Sequence, residues 1–200
     1  MANWIKFKHK GEIHTGILSN NEIALYEGNM FNNPIDSRKR ISLNEVELLN
    51  PCSPSKIIAL WNNYKTLADE KGLSKPTNPL YLNKAVSCIL EPGKDIVRPK
   101  SYSEAIFYEG ELGIVVGTHC KDIEADMAKN YIFGYTCIND VTGMDIVKKD
   151  PSFDQWTRSK SFDTFGIFGP GIETDIDPMN IQIVSKLNGN TVQDYNTNDM

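Results

Sequence analysis

The sequence has little of what many catalytic and targeting motifs require. Its 200 residues include three histidines and four cysteines, and the cysteines show no C-x-x-C spacing, so neither a zinc site nor a disulfide framework is predicted. No segment reaches the roughly 20 continuous apolar residues that span a bilayer, and the first residues lack the apolar core of a signal peptide. The net charge is -5 without a long basic run, which does not favour nucleic-acid binding. We therefore expect a cytoplasmic protein that binds neither membranes nor nucleic acid.

Acidic residues in apolar surroundings are the most informative feature that is present. Glu109 and Glu111 flank Gly110 in a segment that otherwise has the composition of a buried strand. Residues i and i+2 of a strand project from the same face, so the two carboxylates would converge. Such a pair repels and loses hydration on burial, a cost that a bound cation removes. The alternative interpretation is an edge strand with both acids in water.

A third acid, Asp140, ends another apolar segment at residues 131–140. Three carboxylates with no histidine or cysteine beside them form an all-oxygen ligand set, which suits a hard cation and argues against zinc. The sequence therefore predicts a site for Mg²⁺, with Mn²⁺ or Ca²⁺ as substitutes.

Six segments carry a more specific signal, because their residues, order and spacing follow one pattern from about residue 56 onwards. They are residues 56–64, 79–84, 108–112, 134–141, 155–165 and 192–200. In this pattern the chain resembles the fumarylacetoacetate hydrolase family, whose metal-dependent members act on small β-diketo and 2-oxo acids. The resemblance implies an enzyme of such an acid, working by C–C bond hydrolysis or by lyase, decarboxylase or isomerase chemistry through a metal-bound enolate.

The resemblance also implies roles for single residues. It matches Glu109, Glu111 and Asp140 to the metal ligands, and Lys160 to a catalytic lysine that polarises the substrate. Four residues therefore define the predicted centre.

Three further residues complete the predicted site. Glu70 matches a catalytic residue that assists proton transfer, while Lys84 and Gln155 are candidates for substrate binding. The alternative interpretations are a surface charge for Lys84 and a loop amide for Gln155.

The chain departs from the family pattern where the family handles water and substrate. Leu67 stands where many members have a histidine, so the base that activates water is missing. Met144 and Val147 stand at positions of an arginine and a glutamine. The family also continues beyond residue 200, so the C-terminal part of the domain is expected to be missing. The alternative to an enzyme is thus a non-catalytic or truncated relative that binds metal without turnover.

The predicted fold is mainly β (α+β), a β-sandwich roll with a few short helices. Residues 1–50 are expected to form a small β module that begins with a hairpin, and residues 56–200 the catalytic domain. A brief helix is predicted near residues 65–71, and helical character near 141–149. Family members are commonly dimers, which by analogy predicts a homodimer.

Overall fold

The computed structural model describes residues 2–200, and most of its regular structure is β-strand. The strands are β1 Asn3–His9, β2 Glu12–Ser19, β3 Glu22–Asn29, β4 Asn32–Ser42, β5 Glu47–Leu49, β6 Ile57–Trp61, β7 Leu80–Lys84, β8 Ile89–Leu90, β9 Gly110–Val116, β10 Ile132–Asp140, β11 Gly166–Phe168, β12 Gly171–Glu173, β13 Gln182–Leu187 and β14 Asn190–Asn196. The α-helices are α1 Lys65–Glu70, α2 Met144–Val147 and α3 Trp156–Lys160. Single turns of 3₁₀ helix lie at Leu43–Glu45, Val86–Cys88 and Thr197–Asp199, and a longer one at Ala125–Tyr131.

Three of the hairpins close through two-residue turns in which both residues have positive φ. These turns are Lys10-Gly11, Asn20-Asn21 and Asn188-Gly189. Turns of this kind match the right-handed twist of antiparallel strands, and asparagine and glycine adopt them at low cost. These turn residues therefore favour the antiparallel pairing seen in β1–β2, β2–β3 and β13–β14.

Ten strands form one sheet in the order β4-β3-β2-β1-β12-β10-β11-β8, with β5 pairing β1 and β9 pairing β10. One edge of β1 pairs along its length with β2, and its other edge is shared between β12 and β5. Strand β10 contacts three neighbours, β9, β11 and β12. The pairs β6–β7 and β13–β14 form separate two-stranded sheets.

Apolar side chains pack in three clusters. The first, under the N-terminal strands, contains Ile5, Phe7, Ile23 and Leu25. The second is built on Trp4, Met30 and Ile172, and the third on Cys88, Val141 and Phe165. Because Trp4 and Ile5 are adjacent and both buried, β1 is covered on both faces at its start.

The mainly β fold with a few short helices is confirmed. The hairpin at the N-terminus is present, and the helix predicted near residues 65–71 spans 65–70. Helix α2 is shorter than the predicted 141–149, and α3 was not predicted from the sequence. Residues 2–200 contain no helix that combines the length and apolarity needed to cross a membrane. The division at residues 50–56 stays a prediction, and backbone pairing between β1 and β12 joins the two parts.

Candidate metal centre

The pairing of β9 with β10 brings the predicted acids to one end of the sheet. Gly110 lies opposite Asn139 as the last pair of this antiparallel ladder. Glu109 and Asp140, one residue beyond that pair on each strand, are therefore neighbours. The Asp140 amide donates to the Glu109 carbonyl at 2.8 Å. The Glu109 amide donates to Asn139 Oδ1 at 3.0 Å, which fixes the start of β9.

The three carboxylates converge. One oxygen from each of Glu109, Glu111 and Asp140 lies within 4.8 Å of the others. Asp140 is buried, with 2% of its surface exposed, whereas Glu109 and Glu111 are half-buried. The expected same-face projection of Glu109 and Glu111 is therefore present, although Glu109 precedes the strand by one residue.

Lys160, at the end of α3, donates into this cluster. Its Nζ lies 2.5 Å from Asp140 Oδ2, 3.2 Å from each Glu109 carboxylate oxygen and 2.8 Å from Thr142 Oγ1. Burial alone would lower the pKa of Lys160, but the Asp140 and Glu109 carboxylates outweigh burial and hold its pKa above the ordinary value. Lys160 is therefore a buried, fixed cation.

Lys84, at the end of β7, approaches Asp140 from another direction. Its Nζ lies 2.7 Å from Asp140 Oδ1 and donates to the Val141 carbonyl at 3.1 Å. Among residues 2–200 no other group contacts Oδ1 closely, so the Lys84 ammonium is its partner. For Lys84 burial exceeds the attraction of Asp140, so its pKa is lowered. The pKa values of the two lysines that contact Asp140 are therefore shifted in opposite directions.

Glu111 is the acid of the three whose carboxylate is not paired with a lysine. Among the described residues no ion pair or hydrogen bond reaches its carboxylate, in contrast to Glu109 and Asp140. Burial, and then repulsion from Asp140 and Glu109, raise the pKa of Glu111 to about 8, despite the opposing effect of Lys160. The cluster thus holds one acid whose charge the protein alone does not stabilise.

Two residues of the predicted site do not join this cluster. Glu70 is exposed at the end of α1, and no hydrogen bond or ion pair in residues 2–200 connects it to the acids. Gln155 precedes α3, and its backbone amide donates to the Val147 carbonyl at 2.8 Å. The Gln155 side chain lines a cleft of about 1080 Å³ beside Phe153 and Trp156, and none of the clustered acids lines that cleft.

The positions that depart from the family pattern have different surroundings. Leu67 on α1 and Met144 on α2 are exposed, whereas Val147 is buried. None of the three carries a group that accepts a proton or binds a carboxylate.

Sequence reasoning missed several residues that shape the site. Asn139 directly precedes Asp140 and Thr142 follows it by two residues, and their polar side chains next to an apolar segment were the available signal. Gln193 and Tyr195 lie far along the chain and contact Gly110. The dipeptide Asn188-Gly189, a favoured two-residue turn, was the available signal for the hairpin that carries them, but it says nothing about what the hairpin contacts.

Fold and site together define a class of protein. The sequence pattern that describes the C-terminal domain of fumarylacetoacetate (FAA) hydrolases matches residues 56–200, and a pattern named Rv2993c-like, N-terminal, matches residues 3–51. The first match covers more than half of the chain. The chain belongs to the fumarylacetoacetate hydrolase family, and the resemblance noted from the sequence is confirmed.

Individual relatives agree with this assignment. Protein MJ1656 of Methanocaldococcus jannaschii is 44% identical over 168 residues, which are 84% of this chain and 68% of that protein. The mitochondrial oxaloacetate tautomerase fahd2 of Xenopus laevis is 36% identical over 171 residues, 83% of this chain and 53% of that protein. The solved structure of a 5-carboxymethyl-2-hydroxymuconate delta-isomerase from Mycobacterium smegmatis is 30% identical with a TM-score of 0.87, covering 98% of this chain and 76% of that one.

Proposed function

We propose that the chain is a divalent-metal-dependent enzyme of a small 2-oxo or 1,3-dicarbonyl acid. The proposed reaction moves a proton at the carbon next to a carbonyl group, as isomerases and tautomerases do. The observation that carries the proposal is the convergence of three carboxylates within 4.8 Å, with a buried lysine bonded to two of them.

The donor set fits a hard dication. The Glu111 carboxylate is a partly buried acceptor with neither a hydrogen bond nor an ion pair in residues 2–200, unlike Glu109 and Asp140. Such groups are costly to leave unsatisfied, and coordination to a cation satisfies them. Because all the donors are oxygens, Mg²⁺, Mn²⁺ and Ca²⁺ suit the site better than Zn²⁺. Glu109, Glu111 and Asp140 would hold the ion.

The residues of the chain would then position and stabilise an anionic substrate. When bound, a dication supplies polarisation of a carbonyl oxygen and stabilises the negative charge that develops on it. Lys160 keeps its proton and adds a fixed positive charge beside that position. Since its Nζ is held by Asp140, Glu109 and Thr142, this charge needs no reorganisation during the reaction.

Proton transfer is favoured over hydrolysis by what the chain lacks at three positions. Leu67, Met144 and Val147 provide no base for water and no clamp for a carboxylate. An isomerase and a tautomerase are among the relatives, and neither reaction consumes water. Glu70 is the proposed carrier of the proton, and Lys84 and Gln155 are the proposed substrate contacts.

The test is a panel assay on the 200-residue chain after chelation and reloading with Mg²⁺ or Mn²⁺. Oxaloacetate enol–keto interconversion is followed by ultraviolet absorbance, beside acylpyruvate, fumarylpyruvate and ureidoglycolate cleavage. We expect metal-dependent interconversion that Glu109→Ala abolishes and that the exposed control Glu124→Ala retains.

Each other outcome changes the proposal in a defined way. Faster cleavage than interconversion would reassign the chain to the hydrolases. Metal binding without turnover on any substrate would favour the non-catalytic relative. Absence of metal binding would remove the basis of the proposal.

A further inference from the structure

The β13–β14 hairpin lies against the short segment that carries two of the three acids. The hairpin forms its own two-stranded sheet and shares no backbone ladder with β9. Its contacts to the acid-bearing segment are therefore made by side chains. Two of these side chains, Gln193 and Tyr195, contact the same residue, Gly110.

Gly110 separates Glu109 from Glu111, and β14 binds both of its backbone polar groups. The Gly110 amide donates to Gln193 Oε1 at 2.8 Å. The Tyr195 hydroxyl donates to the Gly110 carbonyl at 2.6 Å. Residues 193 and 195 project from the same face of β14, so one strand face holds one peptide segment at two points.

The backbone of Glu109 is held from the opposite side. Its amide donates to Asn139 Oδ1 at 3.0 Å, and its carbonyl accepts from the Asp140 amide at 2.8 Å. The segment is thus fixed between β10 on one side and the hairpin on the other. Rotation of either peptide that flanks Gly110 would break at least one of these bonds.

The close approach of the hairpin depends on the missing side chain at position 110. A Cβ atom built on Gly110 would overlap the Ser185 hydroxyl of β13 and come within 3.3 Å of Gln193 Oε1. A side chain at position 110 would displace the Ser185 hydroxyl and crowd Gln193 Oε1, so the glycine favours this close approach of the hairpin.

The hairpin is itself anchored beyond these contacts. The Tyr195 ring packs edge-on against Tyr64, with centroids 4.9 Å apart. Just after β14, the Asp199 carboxylate accepts from the Thr66 amide at 2.9 Å and from the Thr66 hydroxyl at 2.8 Å. The two groups that bind Gly110 are thus carried by a strand that other parts of the chain hold in place.

A holding device is needed at this point because a cation is bound by both glutamates in their ionised form, in which they repel each other. Without opposing contacts, rotation about the Gly110 backbone would let their carboxylates separate and gain hydration. We propose that Gln193 and Tyr195 are positioning residues, which hold the Gly110 peptides so that Glu109 and Glu111 converge on one divalent cation. This inference rests on the proposed function, because it concerns the same site.

The test uses the full chelator-treated chain and two substitutions that remove one hydrogen-bonding group each. Gln193→Met removes the acceptor and keeps the length of the side chain, and Tyr195→Phe removes the hydroxyl and keeps the ring on Tyr64. The matched control is Gln182→Met on the same hairpin, because within residues 2–200 the Gln182 side chain bonds only to the exposed Asp194.

The first readout is Mn²⁺ affinity by titration calorimetry. We expect the dissociation constant to rise about tenfold or more in Gln193→Met and in Tyr195→Phe, the size found when groups that orient metal ligands are removed. The second readout is hydrogen exchange of the Gly110 amide by NMR without metal. Exchange is expected to accelerate in Gln193→Met and to return to the parent rate in Gln193→Glu, which keeps an acceptor oxygen. Gln182→Met should match the parent in both measurements.

The outcomes separate this inference from the proposed function. If the parent chain binds Mn²⁺ and both variants bind it equally well, the positioning role is wrong and the metal site stands. If the parent binds no Mn²⁺, the proposed function fails and the inference fails with it. Unchanged Gly110 exchange in Gln193→Met would also overturn the inference. If Gln193→Met does not fold, Tyr195→Phe decides by its affinity for Mn²⁺.

Discussion

Two parts of the same ten-stranded sheet bury opposite kinds of side chain. Under the N-terminal strands, Ile5, Phe7 and Ile23 are almost fully buried in an apolar cluster. At the end of β10, Asp140 and the α3 residue Lys160 that pairs with it are almost as deeply buried but are ionisable. Apolar burial stabilises a fold without a specific partner, whereas buried charges lose hydration and depend on one another. An apolar replacement of similar volume is often as stable as a buried ion pair, so the charged cluster points to a role other than stability.

The largest expected effect comes from removing the shared partner in the charged cluster. Asp140→Ala leaves Lys84 and Lys160 buried without their common carboxylate. We expect the free energy of unfolding to fall by about 3–5 kcal/mol, the usual cost of breaking a buried ion pair. Mn²⁺ binding should be lost as well. Urea denaturation and calorimetry measure the two effects, with exposed Asp95→Ala as control.

In the apolar cluster, Phe7→Ala should separate stability from binding. Phe7 has 0% of its surface exposed, so truncation leaves a cavity and lowers the free energy of unfolding by about 3–5 kcal/mol. In the fraction that stays folded, Mn²⁺ affinity should equal that of the parent. A large loss of affinity would show that the two regions are coupled, and the contrast between them would fail.

Glu109→Ala should have the opposite effects to Phe7→Ala: metal binding is lost and stability changes little. Its side chain is 29% exposed, and its partner Lys160 keeps the Asp140 carboxylate when Glu109 is removed. We expect a much smaller change in the free energy of unfolding than for Asp140→Ala, together with loss of measurable Mg²⁺ binding by titration calorimetry. Unchanged binding would count against Glu109 as a ligand. Glu124→Ala serves as the exposed control.

The pH dependence of the free energy of unfolding should distinguish the charged cluster from the apolar one. Between the ordinary pKa of 4.5 and about 8, the folded metal-free chain keeps a proton on Glu111 that the unfolded chain has released. The Glu111 contribution to the free energy of unfolding therefore falls as pH rises through that window, by at most about 1.4 kcal/mol per pH unit. The free energy of unfolding of the parent should therefore fall relative to that of Glu111→Gln as pH rises through this window. For Phe7→Leu, the free energy of unfolding should change with pH as it does in the parent.

The smallest expected effect is on Glu70. Because no described contact joins Glu70 to the acids, Glu70→Gln should leave the free energy of Mn²⁺ binding within about 0.5 kcal/mol of the parent. Reduced turnover at unchanged affinity would assign proton transfer to Glu70. Reduced affinity would place Glu70 in the metal centre, contrary to its exposed position on α1.

The sequence predicted those parts of the site that depend on local pattern. Glu109 and Glu111 were found because i and i+2 spacing on a strand determines a shared face, and Asp140 because it ends an apolar strand. The first hairpin followed from the alternation of residues 5–10 and the break at Gly11. These signals arise within a few residues, and the fold preserves them.

What the sequence did not predict depends on contacts between distant elements. The ion pair between Lys84 and Asp140, and the opposite pKa shifts of Lys84 and Lys160, result from how β7 and α3 pack against the end of β10. The contacts of Gln193 and Tyr195 with Gly110 join positions more than eighty residues apart. Helix α3 has five residues, too few for a periodic apolar face to be recognised.

Strand β1 pairs at residues 3–5 with β12 at residues 171–173. On a ribosome, the N-terminal strands would leave the exit tunnel first, and at about 5–20 residues per second the partner would follow on the order of ten seconds later. During that interval one edge of β1 would display free amides and carbonyls next to Trp4 and Ile5, the kind of surface that recruits other nascent chains. We therefore expect this protein to depend on chaperones more during translation than during refolding from denaturant.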